Sequence, residues 1–287
     1  MRDHRPGAWG GLACAALALC ALSSGAAAQA PASGGMVDCR EFAKMDKLSE
    51  PAQLAVFVAI DQTTPFTAAL KQSIADQLLP LLRPGTALEV YQFSAYMGGR
   101  YTQKLLQVRM NAEIEPGRRD AISKVSLDRF DKCMAFQSAE VQKLTGNALR
   151  QAFDGSSASI GKSDVAASLR DVSEQVKQAA AARKVVLIAS DMLENSAVSS
   201  FYVGNAVRRI EPAVELARME SHQLIGNFGR ADIYVMGAGL IAETAGKAAY
   251  RDPKTMQQLQ VFWRDYFEKS AGHLVEFGAP AMLGQIR

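Results

Sequence analysis

The chain has 287 residues, 48% of them hydrophobic and 21% charged, and a formal net charge of +3. Those proportions exclude a largely disordered chain, and so small a charge gives no electrostatic footprint for nucleic acid. No nucleic-acid partner is expected.

The N-terminus reads as a secretory signal. Arg2 and Arg5 precede the apolar run "GLACAALALCALSSGAAA", and small residues follow at Ala26 and Ala28. The run is too short to span a bilayer, and no later stretch approaches the roughly 20 apolar residues that a membrane helix needs. The expected organisation is a signal peptide over 1–28, cut near Ala28–Gln29, a tail and tethered segment over 29–50, and a single α/β domain over 51–287. The expected product is periplasmic or secreted, carries a charge of +2 and has no integral membrane span. Acylation at Cys20 or Cys14 would leave a lipid anchor instead, but Leu19 is bulkier than that processing prefers. Two cysteines, Cys39 and Cys133, remain after the signal. In an oxidising compartment they read as a disulfide closing a loop of about 94 residues. A redox or metal pair would call for a CxxC spacing or nearby histidines.

In chain order, "LAVFVAI" (54–60) is an apolar run of strand length, as expected of a strand buried on both faces of a parallel sheet. Thr64 and Pro65 read as an N-cap and a first helical residue. Leu70, Ile74, Leu78 and Leu81 then share one helical face, and "RPG" (83–85) stops the helix. "ALEVYQFSA" (87–95) is a second strand and "RYTQKLLQVRM" (100–110) an amphipathic edge strand. "EIEPGRRD" reads as a loop, and Arg118, Arg119, Arg208 and Arg209 as solvated charge. A helix is expected from about Ser126, interrupted or ended near Gly146, with a glycine- and serine-rich loop over 154–164. Another helix starts at Val165 and leads to the buried strand "KVVLIASD" (184–191). A polar loop "SDMLENSAVSS", a helix over 212–222, the strand "ADIYVMGAG" (231–239), a helix over 254–270 and a short strand "HLVEF" complete the chain. In the last helix Phe262 and Phe267 read as core, and the row they form with Trp263 and Tyr266 has a partner surface as its alternative.

Alternating strands and helices predict an α/β fold: a doubly wound, mostly parallel sheet with helices on both faces. Such sheets bind ligands at the carboxyl ends of the strands, where strand order reverses. Two of the most buried runs end there in an aspartate, Asp61 and Asp191.

These residues resemble a von Willebrand factor A-type domain over about 54–277. The resemblance implies a metal-ion-dependent adhesion site, in which Mg2+ or Mn2+ sits on strand-end carboxylates and hydroxyls and takes an acidic group from a protein partner. Carried over by position, Asp61 matches the family's first aspartate, Thr63 its first hydroxyl, Ser163 in "SDVAASL" its threonine, and Asp191 in "LIASD" its last aspartate. "QFSAY" matches the Phe-Ser ending of the second strand. Gln62, Thr64, Ser94, Glu194 and Asn195 stand at the edge of that site. Two positions depart from the pattern. Pro65 replaces the second hydroxyl, so Thr64 or water would have to substitute, and Met192 replaces the glycine after the last aspartate.

Without a cation, Thr64 would cap a helix, Asp61 would accept from backbone donors, and Asn195 and Ser196 would cap the loop at Asp191. "GAGLIA" (237–242) matches a dinucleotide fingerprint, yet no βαβ unit and ribose-binding acid can follow it, so it reads as a tight turn. A serine hydrolase lacks its G-x-S-x-G elbow, with His222 and His273 read as a helix-end and a strand-start residue. An aspartyl phosphohydrolase lacks its second aspartate, replaced by Thr63. The expected function is partner binding through a cation. The alternatives are a metal-dependent hydrolase using Asp61 and Asp191, and a metal-free envelope scaffold component.

Overall fold

The computed structural model describes residues 32–33, 36–46, 51–64, 66–97, 100–156, 162–203, 206–241 and 252–287. The expected signal segment, Cys14, Cys20, Pro65 and Ala242 lie outside them. Residues 31–287 belong to one compact unit.

The elements in order are β1 (Ala32–Ser33), α1 (Cys39–Phe42), β2 (Ala52–Asp61), α2 (Ala68–Leu78), β3 (Thr86–Met97), β4 (Arg100–Arg109), α3 (Pro116–Arg119) and α4 (Lys124–Asp154). There follow α5 (Val165–Gln178), β5 (Ala181–Ala189), β6 (Tyr202–Val203), β7 (Ala206–Val207), α6 (Pro212–Ser221), β8 (Asp232–Met236), α7 (Pro253–Lys269) and β9 (His273–Gly278). Seven strands form one sheet in the order β1-β4-β3-β2-β5-β8-β9, and β6 and β7 pair by themselves. β2, β3, β5, β8 and β9 run parallel, whereas β4 is antiparallel to β3. From β2 the chain first builds toward β3 and β4. It then returns to the other side with β5, so strand order reverses between β2 and β5.

β2 shows why both faces are covered. Successive strand residues point to opposite faces. Leu54, Val56, Val58 and Ile60 enter a core with Leu70, Ile74 and Leu78 of α2 and Val141, Leu149 and Phe153 of α4. Ala55, Phe57 and Ala59 enter the other, with Val165, Leu169 and Val172 of α5 and the aromatic row of α7. Phe262, Trp263, Tyr266 and Phe267 are all fully buried. The Phe262–Trp263 and Trp263–Tyr266 ring centroids lie 4.9 and 5.1 Å apart, edge to face. The row is core, and the partner-surface alternative falls.

Several local expectations need correction. α2 is capped by Thr67, whose hydroxyl accepts from Leu70 N, so Thr64 is not the cap. α4 runs unbroken through Gly146, because the burial of Val141, Thr145, Ala148 and Leu149 around it exceeds the ~1 kcal/mol that a helical glycine costs. "EIEPGRRD" contains the short helix α3, whose Arg119 stays solvated as expected, in an exposed pair with Asp131 at 2.6 Å. Arg208 is paired too, with buried Glu215 at 2.5 Å. β4 is flanked by β1 at Leu106 and Gln107. As read from the sequence, His222 closes α6 and His273 opens β9.

Cys39 and Cys133 form the disulfide, joining α1 to α4 across 94 residues of sequence. Ile114 and Phe130 complete a small third core around it. Closing so long a loop restricts the unfolded chain, which is where a disulfide does most of its stabilising. Reduction, or Cys39→Ser, is expected to lower stability by about 2–5 kcal/mol in urea melts; unchanged midpoints would show that the third core holds α1 unaided.

Candidate functional site

The register of β2 with β5 sets Ile60 beside Ala189, so the next residues, Asp61 and Ser190, leave the sheet side by side at its carboxyl edge. Asp61 is completely buried. Its Oδ1 accepts from Thr63 N at 2.8 Å and from Thr63 Oγ1 at 2.6 Å, a local turn that follows from the Asp-x-Thr spacing. Its Oδ2 accepts from Ser190 Oγ at 2.7 Å and, more distantly, from Ser163 Oγ at 3.4 Å. Three hydroxyls from three segments thus converge on one carboxylate.

Asp191 comes next in the chain. Its Oδ1 accepts from Leu193 N at 2.8 Å, and Tyr202 OH lies 3.4 Å from its Oδ2. Its backbone N–H donates to Thr64 Oγ1 at 2.9 Å, which fixes the turn after β2 to the turn after β5. Thr64 therefore serves the site and not the helix. The remaining edge residues gather in the same place. Gln62 N donates to Phe93 O, Ser94 O accepts from Asp164 N, and Asn195 exchanges both backbone bonds with Ser163. The Asp191 carboxylate itself closes its loop through Leu193 N, and the Ser196 hydroxyl accepts from Val198 N and Ser199 N farther along.

The electrostatics follow from burial. Desolvation raises the Asp61 carboxyl above its ordinary range, against the lowering effect of hydrogen bonds from Thr63, Ser190 and Ser163. Desolvation, and then the neighbouring charge of Asp61, hold Asp191 well above it. Among the described residues no Lys, Arg or His side chain pairs with either. Nor do three His, Cys, Asp or Glu side chains come together there as a self-sufficient metal cage. The donor set is two carboxylates and hydroxyls, an all-oxygen set suited to a hard cation that keeps some of its water. By that chemistry the residues fit Mg2+ or Mn2+ and not a thiolate-loving metal.

Sequence reasoning passed over Ser190, although a hydroxyl beside Asp191 in "LIASD" was the available signal. It also passed over Tyr202 and over the burial of the loop after β5, where Met192, Leu193 and Glu194 are all inaccessible despite its polar composition. "GAGLIA" is committed to the fold: Gly237 and Gly239 take positive φ, and Gly239 N donates to Asp191 O at 2.8 Å. The amide a phosphate would need is already used.

Glu194 shows what the loop gains from its charge. Its Oε2 accepts from Ala166 N at 2.8 Å, capping the first turn of α5 from outside the helix. Its Oε1 is buried with no donor within hydrogen-bonding geometry. Burial pushes this carboxyl from 4.5 up to about 7. A folded carboxyl with a raised pKa binds its proton more tightly than the unfolded chain does, so folding is favoured at low pH and stability falls as pH rises from about 4.5 through about 7. Glu194→Gln is expected to remove a part of that fall on the order of 3 kcal/mol. Melting curves of the two proteins from pH 4.5 to 7 that ran parallel would refute the assignment.

No family model and no curated protein matches the chain. Two solved structures of the pilus adhesin SpaC from Lactobacillus rhamnosus GG are similar to it. The open conformation matches at a TM-score of 0.38 and 10% identity, covering 80% of this chain and 28% of that one. A second form matches at a TM-score of 0.36 and 11% identity, covering 79% and 31%. The chain spans less than a third of the length of either.

Proposed function

We propose that the protein is an exported, von Willebrand factor A-like binding module. In this reading it holds Mg2+ or Mn2+ at the carboxyl edge of its sheet and presents the ion to an acidic group on a protein partner. The observation that carries the reading is the convergence of the Thr63, Ser163 and Ser190 hydroxyls on Asp61, beside a second buried carboxylate and with no paired cationic side chain among the described residues. Two buried carboxylates with no counter-charge are costly unless they share a proton or a cation neutralises them.

Asp61, Thr63 and Ser163 would hold the ion, with Asp191 acting through water. The cation would supply a Lewis-acid position for the partner's carboxylate. The Thr64 hydroxyl accepts from Asp191 N, which leaves it one further lone pair, so either that oxygen or water would fill the place of the hydroxyl that Pro65 lacks. The disulfide accords with an oxidising compartment, and no described helix is long and apolar enough to cross a membrane.

A metal-free scaffold reading has one observation in its favour: both oxygens of Asp61 already accept hydrogen bonds, and the four donors need no ion. Titration calorimetry with MnCl2 and MgCl2 separates the two. The cation reading expects saturable binding in the millimolar range or tighter, a thermal midpoint that rises with metal, and affinity weakened at least about 100-fold in Asp61→Asn. Absence of both heat and thermal shift would leave the scaffold reading in place.

A further inference from the structure

Met192 stands where the resemblance calls for glycine, and its backbone shows why glycine would be favoured there: φ is +60°, the left-handed region. An unbranched residue can occupy that region, but only against a preference for other conformations, and it stays there when its surroundings hold it. The surroundings here are specific. Met192 N donates to Ser190 Oγ at 2.9 Å, and the same Ser190 hydroxyl donates to Asp61 Oδ2 at 2.7 Å. On the other side, Met192 O accepts from Trp263 Nε1 of α7 at 2.8 Å. Both backbone groups of the strained residue are therefore held, one from the sheet edge and one from a helix packed on the sheet. All three residues are completely buried, so water cannot replace either partner.

We propose that Trp263 is a positioning residue for this site: its indole N–H, with the Ser190 hydroxyl, holds Met192 in the left-handed conformation and so aims the Asp191 carboxylate. The chain Asp61–Ser190–Met192–Trp263 does with two side chains what a glycine does through its own freedom. It also gives the aromatic row of α7 one task beyond packing. The hydroxyl of Tyr266 is spent on Ala166 O and Leu224 O, so within the row Trp263 is the residue that hydrogen-bonds the loop after β5. The local consequence is a fixed turn in which Leu193 N is bonded to Asp191 Oδ1. The clamp stands on this geometry alone; only its effect on cation affinity rests on the function proposed above.

The test uses the full chain and three variants: Trp263→Phe, Trp263→Phe with Met192→Gly, and Trp263→Phe with Met192→Ala. Glycine and alanine remove the same side chain beyond Cβ, but only glycine adopts positive φ without a clamp. Amide hydrogen exchange at Leu193, read without metal, is expected to lose protection in Trp263→Phe and in the alanine double variant, and to regain it in the glycine one. Mn2+ affinity is expected to fall by about tenfold or more in the first two and to return close to the wild-type value in the third. Leu193 protection that survives Trp263→Phe, or that responds alike to glycine and alanine, would overturn the clamp. Wild-type protein that binds no Mn2+ while the exchange pattern holds would defeat the cation reading and leave the clamp standing. Should Trp263→Phe not fold, Ser190→Ala opens the other end of the clamp, and the same glycine-against-alanine comparison applies.

Discussion

The carboxyl edge of the sheet is organised by one buried carboxylate. Asp61 has no access to solvent, and the donors it accepts come from its own turn, from the segment before α5 and from the end of β5. A buried carboxylate left unsatisfied costs more than most single contacts contribute, so the three segments have to meet around it. Thr64 repeats the arrangement from the other direction, its hydroxyl taking the Asp191 amide. The strand ends of β2 and β5 are thereby joined by side chains just where ladder hydrogen bonding between them stops.

The same economy explains the loop after β5. Its sequence is polar, yet Met192, Leu193, Glu194 and Phe201 are buried. Half-buried Asn195 bridges to Ser163 through backbone, and buried Glu194 caps α5 while its burial raises its pKa. Glu215, drawn inside beside Ser199, is answered by Arg208 and Arg218, and the paired charges hold its carboxyl below the ordinary range despite burial. Farther along, Phe201 packs edge to face on Phe262, so the loop is fixed to α7 by apolar contact as well.

How much of this was legible in the sequence depends on the kind of signal. "LAVFVAI" and "KVVLIAS" read as strands buried on both faces from their length and β-branched content, and their order relative to the helices pointed to the doubly wound sheet. Cysteine arithmetic gave the disulfide. Thr64 was misassigned because a Thr-Pro pair ahead of an apolar helical face is a sound local capping signal, and only a partner 127 residues away, the Asp191 amide, redirects it. Gly146 misled for the same reason: local propensity spoke against the helix, and tertiary burial decided. Ser190 stood beside Asp191 in "LIASD" and Trp263 in the aromatic row, but neither position tells its hydrogen-bonding role, which comes from where the fold sets an oxygen and an indole N–H.

The central claim is that the oxygens around Asp61 form a cation site. Crystals soaked in MnCl2 and measured at the manganese absorption edge test it most directly. The account predicts one strong anomalous peak at the carboxyl edge of the sheet, within about 2.1 Å of oxygens from Asp61, Thr63 and Ser163. A map without such a peak, with the Thr63 and Ser190 hydroxyls still donating to Asp61, would contradict it.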